Sequence, residues 1–106
     1  MHILMMAVLC AVASPLAAAQ AVAATPPSRL GLCAACHGAQ GHASTPGVPH
    51  LAGQRVDYLR AALRQYRSGQ RDVAVMRTAV GPLSDAELDA LAVWYSRQSP
   101  PVPGQP

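Results

Sequence analysis

Apolar positions in the second half of the chain fall into two helical patterns. Val56, Leu59, Leu63 and Tyr66 recur at intervals of three or four, and Gly69 follows the last of them. The spacing predicts a helix from about 55 to 68 with a glycine stop. In "LSDAELDALAVWYSRQ", Leu88, Leu91, Ala92 and Tyr95 mark a second buried stripe. Ser84 with Glu87 three residues on forms a capping box, Asp85 adds negative charge to the first turn, Arg97 stands in the last, and Pro100–Pro101 ends the helix. Residues 73 to 80 read as a short helix stopped by Gly81–Pro82. A further short helix is expected from near Ser28 into "LCAACHG", with Pro27 suited to its first turn. Residues 38–54, "GAQGHASTPGVPHLAGQ", are loop. No two-residue alternation and no internal repeat competes, so the fold is expected to be all-α, in one domain.

The first 24 residues follow a different logic. "MHILMMAVLCAVASPLAAAQAVAA" has an apolar run, then Ser14–Pro15, then small residues, the order of a secretory signal peptide, although no Lys or Arg precedes the run. Cleavage after Ala19, Ala23 or Ala24 fits equally. The run is short for a span of about 20 residues; left uncleaved, the segment would be a membrane anchor. Cys10 reads as a small apolar residue of this leader, because Leu9 is too bulky for lipoprotein processing. The division expected is 1–24 leader, 25–98 domain and 99–106 Pro-rich flexible tail. The implied location is periplasmic, with no membrane span once the leader is removed.

Composition narrows the function. The chain is 51% hydrophobic but has no Phe and one Trp, a thin supply of large core residues for 106 positions. A domain this small leans on a cofactor, metal or disulfides. The net charge of +3, with all eight basic residues arginine and none in a dense run, argues against nucleic acid as a partner. Arg60, Arg64 and Arg67 share one flank of the middle helix, with Arg55, Arg71 and Arg77 nearby, whereas Asp85, Glu87 and Asp89 make the last helix acidic at its start. That asymmetry would steer an acidic partner; a solvated helix face explains it equally well.

Cys33, Cys36 and His37 carry the chemistry. A disulfide between the two thiols would close a tiny loop and constrain little chain. A thioredoxin-like dithiol normally sits on a βαβ fold, for which there are no strands. A zinc site needs a fourth ligand, His42 or His50, and consecutive Cys36 and His37 suit one tetrahedral ion poorly. C-x-x-C-H is also the attachment signature of c-type haem: the thiols bond two vinyl groups on one porphyrin edge, and the histidine is held at the iron.

With "PHLAGQ", "YLRAALRQYRSGQR", a lone methionine and "LSDAELDALAVWY" downstream, "CAACHG" resembles the class I c-type cytochromes, above all the small bacterial monohaem ones and single halves of dihaem ones. The resemblance covers about residues 31–98. It implies three to four short helices around one covalent haem c per chain, with Cys33 and Cys36 bonded to it and His37 an axial ligand. Met76, the one methionine outside the leader, stands where the family places its second ligand, in preference to His42 or His50. The resemblance also assigns Pro49 a carbonyl that receives the His37 N–H, and Leu51 a place against the haem. Tyr58, Tyr66, Trp94 and Arg55 are open candidates for a propionate. The first helix is shorter than the family's, with Gly31 a candidate for close helix contact. The function implied is single-electron transfer between respiratory or dehydrogenase redox proteins, without catalysis; nothing resembles an acid–base pair or a nucleophilic triad. A cytochrome subunit of a larger oxidoreductase, and a five-coordinate haem sensor or peroxidase in which Met76 does not bind, are the alternatives.

Overall fold

The computed structural model describes residues 25–104. The readings made on the leader, its cleavage site and Cys10 lie outside the described residues, as does the end of the tail. Four helices follow in order: α1 (Leu30–His37), α2 (Val56–Ser68), α3 (Ala74–Val80) and α4 (Asp85–Ser96). The described residues contain no strand, and none of their helices is long and apolar enough to cross a membrane.

The two long helices form where their patterns predict. Gly69 ends α2 in the left-handed conformation (φ 82°), which a side chain adopts only with strain. Ser84 caps α4: its hydroxyl accepts the Glu87 N–H at 3.1 Å, and the Glu87 carboxylate accepts the Ser84 N–H at 2.9 Å. α1 starts later than expected. Pro27 lies ahead of it, and the Pro27 carbonyl accepts the Leu30 N–H at 3.0 Å in a turn. Arg97 is the C-cap of α4, just past its last turn.

α2 packs against both α3 and α4. Leu88, Leu91 and Val80 are fully buried where these helices meet, Leu59, Leu83, Ala92 and Tyr95 complete the centre, and Leu30 and Cys33 bring α1 into it. A side-chain carbon at Gly31 would meet nothing within 4 Å, so that glycine makes no close helix contact. Much of the remaining apolar surface of these helices faces a cavity.

The arginine flank of α2 is not free for a partner. Arg60 and Arg64 reach Asp89 at 3.2 and 3.0 Å, and Arg64 and Arg67 engage Asp85. Arg67 also donates to the Leu83 carbonyl at 3.0 Å. The two opposite charge clusters read from the sequence meet each other across the α2–α4 interface. Exposed pairs of this kind contribute little each, but they set how stability responds to acid. Asp85 is held below the usual carboxylate range by its hydrogen bond from Arg67, and Glu87 by the Ser84 N–H and then by Arg29. A carboxyl with a depressed folded pKa contributes stability above its unfolded pKa, about 3.9 for Asp and 4.3 for Glu, and loses it as pH falls through the folded value. Urea midpoints are therefore expected to hold from pH 7 to about pH 5 and to decline below. A midpoint that stays level to pH 3 would refute this.

Candidate functional site

α1 carries both thiols on one turn. Cys33 is buried and Cys36 exposed, and they form no disulfide. His37, at the last position of α1, is the one buried polar or charged residue of the described chain. Its Nδ1–H donates to the Pro49 carbonyl at 2.9 Å; a carbonyl only accepts, so the proton is on Nδ1 and the lone pair on Nε2.

The loop that presents Pro49 is built by tight backbone turns. Gly41 has φ 79°, and its carbonyl accepts the N–H groups of Leu51 and Ala52 at 2.8 and 3.2 Å. A side-chain carbon there would lie 2.6 Å from Ala52 N and 2.9 Å from the Tyr95 ring, so only glycine fits. Two aromatic residues of α4 pin the start of the loop: Tyr95 donates its hydroxyl to Gly38 O at 3.0 Å, and Trp94 its indole N–H to Ala39 O at 2.7 Å. Burial holds the Tyr95 phenol well above its ordinary pKa, with Cys33 beside it adding to the effect; burial likewise raises the Cys33 thiol.

α1, this loop, α2 and α3 surround a cavity of about 320 Å³. Its walls include Cys33, Cys36, His37, Pro49, Leu51 and Met76, which span 44 positions of sequence between the first and the last. Most of the remaining lining is aliphatic or aromatic. His42 and His50 are not part of it. The His42 Nε2–H donates to the Ser99 carbonyl at 2.7 Å, which ties the loop to the start of the tail, and the Ala43 N–H donates to His50 Nδ1 at 2.9 Å. Among the described residues no three His, Cys, Asp or Glu side chains gather as a metal site, so the zinc grouping is not formed.

Candidates for propionate contacts sort themselves by position. Trp94 spends its N–H on Ala39, and Arg55 pairs with Asp57 at 3.0 Å, neither of them in the cavity lining. Tyr58 and Tyr66 line the cavity, and between them lies Arg71, a residue that the sequence reading counted only with the basic flank.

A cavity with apolar walls, two unpaired thiols, an imidazole oriented by a carbonyl and a thioether on the same lining fits a haem attached through sulfur. The comparisons with known proteins agree. The sequence model of the family described as Cytochrome c matches residues 17–95. The chain belongs to that family, as a small class I c-type cytochrome: an all-helical haem electron carrier with covalently bound haem c. It is 38% identical over 79 residues to cytochrome c-554(548) of Halomonas halodenitrificans, an alignment that covers 72% of this chain and 95% of the relative. It is 43% identical over 84 residues to the thiosulfate dehydrogenase electron acceptor of Thiomonas intermedia, covering 78% of this chain and 39% of that one. To cytochrome c4 of Pseudomonas aeruginosa it is 36% identical over 83 residues, covering 78% and 41%. The chain thus spans nearly all of the first relative but well under half of the other two.

Proposed function

We propose that this cytochrome is a periplasmic single-electron carrier whose haem is bonded to Cys33 and Cys36 and ligated by His37 and Met76. The observation that carries the reading is the convergence of these four side chains, with Pro49 and Leu51, on one apolar cavity. When bound, the haem supplies the Fe(III)/Fe(II) couple. The chain's own residues do the rest. The Pro49 carbonyl fixes the His37 ring and tautomer, leaving Nε2 basic for the iron. Met76, half-buried on α3, offers a soft thioether that favours Fe(II) and raises the potential. Leu51, Leu59 and Leu63 keep water from the centre, so little rearranges when one electron enters or leaves. Held by both His37 and Met76, the iron would have no position left for a substrate, and the protein would act by handing electrons on rather than by catalysis. The leader at 1–24, followed by the domain at 25–98, fits export, which haem attachment of this type accompanies.

The relative from Thiomonas intermedia is named as an electron acceptor of thiosulfate dehydrogenase. Carried to this chain, that name makes a dehydrogenase of reduced sulfur compounds the donor class to test first, with a terminal oxidase or another cytochrome as acceptor.

The purified protein decides the matter by mass and spectrum. One added haem per chain, a weak far-red ferric band of methionine–iron ligation, and no binding of CO by the reduced form are expected. Ready CO binding without that band would favour a five-coordinate sensor. Copurification in fixed ratio with an oxidoreductase would make this chain a subunit of a complex.

A further inference from the structure

The loop from 38 to 54 holds two titratable side chains, His42 and His50, and no Asp, Glu, Lys or Arg. Both are exposed, and their rings stand edge to face with centroids 6.3 Å apart. They are hydrogen-bonded in opposite senses. His42 donates through Nε2 to the Ser99 carbonyl at 2.7 Å, and a histidine can make that bond neutral or protonated. His50 accepts. A backbone N–H only donates, so the Ala43 N–H, 2.9 Å from His50 Nδ1, requires a lone pair on that nitrogen. A protonated imidazole carries an N–H at both ring nitrogens. Two donors would then face each other, and the bond is lost.

The place of His50 in the chain gives this bond its reach. The Pro49 carbonyl that orients His37 belongs to the peptide unit whose nitrogen is that of His50. Pro49 has no N–H of its own to fix it, so its neighbours hold it. After it, the Gln54 side-chain amide donates to the His50 carbonyl at 2.6 Å, and Gly41 O takes the Leu51 N–H at 2.8 Å. Before it, the chain folds back through a turn in which Thr45 O accepts the Val48 N–H at 3.2 Å. The Ala43–His50 bond joins the two ends of that tip. From the elements against the loop, α1 brings His37 and the two thiols, and α2 brings the Arg55–Asp57 pair. The end of α4 brings Tyr95 and Arg97. Among the described residues none of these is hydrogen-bonded to His50. His42 is the titratable ring beside it, and the two rings repel when both are charged.

Histidine is the side chain that ordinarily changes charge between pH 5 and 8. We propose that His50 is a positioning residue that couples electron uptake to protonation. Neutral, it holds the Pro49 carbonyl on His37; protonated, it lets go, and the reduction potential rises. This rests on the haem-binding reading above. Two effects act in the same direction. A firm bond from Nδ1–H to a carbonyl makes the ligating nitrogen more basic and stabilises Fe(III), so slackening it favours Fe(II). The positive charge of the protonated ring also favours Fe(II), because the charge at the iron falls by one on reduction. The linkage is reciprocal: reduction strengthens the hold of His50 on a proton, which its exposed ring takes from water.

Holoproteins of wild type, His50→Asn and His50→Phe, each verified by mass to carry one haem, test this by redox titration from pH 5 to 8. The Ala43 amide proton resonance of the reduced form is followed over the same range. Asparagine places Oδ1 where Nδ1 stood, accepts the same N–H and does not titrate, whereas phenylalanine accepts nothing. At the wild-type pH 8 midpoint, the Fe(II)/Fe(III) ratio is expected to be roughly two- to fivefold higher at pH 5, within the net worth of one hydrogen bond. At 59 mV per decade that is about 18–41 mV. The Ala43 resonance is expected to move upfield as the pH falls. His50→Asn is expected to keep the pH 8 resonance throughout and to lose most of the rise in potential. His50→Phe is expected to show the upfield resonance and a raised potential at every pH. A level wild-type potential overturns the inference, as does a rise that His50→Asn keeps in full, which would belong to the haem propionates. A His50→Phe potential equal to that of wild type at pH 8 overturns it too, since the bond to Ala43 would then not reach the iron. A wild-type chain without covalent haem would defeat the haem reading and this inference with it; a haem-bearing chain whose potential stays level defeats this inference alone.

Discussion

Replacement of Met76 by alanine is expected to abolish the methionine–iron band, open the reduced protein to CO and lower its potential, while the chain stays folded and haem-bearing. Met76 is half-buried on the short helix α3, and it packs on the edge of the core rather than within it. Truncating it removes few buried contacts, so the stability cost should sit at the low end of about 2–5 kcal/mol for such changes. The electronic cost is larger. Axial ligands tune haem potentials over roughly 0.8 V, so losing the thioether is expected to lower the midpoint by on the order of 100 mV, more than a tenfold change in Fe(II)/Fe(III) at 59 mV per decade. Spectra and a redox titration of the variant check both parts. A variant that kept the band and the potential would transfer the second axial position to another residue. His42 and His50 would be poor successors, since His42 is tied to Ser99 and His50 to Ala43, and neither lines the cavity.

Removal of the attachment sulfurs should act on the fold itself. In a Cys33→Ser/Cys36→Ser double variant, mass spectrometry should find no covalent haem, and far-ultraviolet circular dichroism should find most of the helix lost. The magnitude follows from the cavity. Without haem the apolar walls of the 320 Å³ cavity would lose what they pack against, in a molecule whose total stability, as for an ordinary domain, is only about 5–15 kcal/mol. The core left to resist that loss is small: among the described residues, three of its eleven buried apolar side chains are alanines, and Tyr95 is its only aromatic. The scarcity of large apolar residues in the composition and the size of the cavity are two views of one fact, that the largest piece of the core is not made of amino acids. A double variant that still melts cooperatively would show that the helices close without haem.

The local devices were legible in advance because they are local. The Ser84–Glu87 box and the Gly69 stop act within a few residues of themselves, so the sequence carries their whole cause. The haem-attachment spacing of Cys33, Cys36 and His37 is legible for the same reason. Apart from the late start of α1 and the place of Arg97 at the C-cap of α4, the misreadings involve partners distant along the chain. The arginines of α2 were recognisable as one flank, but helical period says which residues share a face and not what the face meets; it meets Asp85 and Asp89. Arg71 gave no sign of its place, because the turn after Gly69 carries it back over Tyr58 and Tyr66. Gly31 looked like a contact and is not one, since nothing approaches it. Nor was the anchored start of the tail foreseen: Ser99 takes a hydrogen bond from His42, and Pro100 lies against Gly53.

The two aromatic pins of α4 bear on how the molecule is assembled. Trp94 and Tyr95 fasten Ala39 and Gly38 across 55 and 57 residues, and Tyr95 lies beside the buried Cys33. A chain made from its N-terminus exposes the Cys-x-x-Cys-His stretch long before α4 exists to cover it. During that interval the Cys33 thiol is in water, free of the burial that later raises its pKa, and thiolate is the reactive form. Closure of the chain around the cysteine pair therefore waits on the last helix, the last of the four to be made.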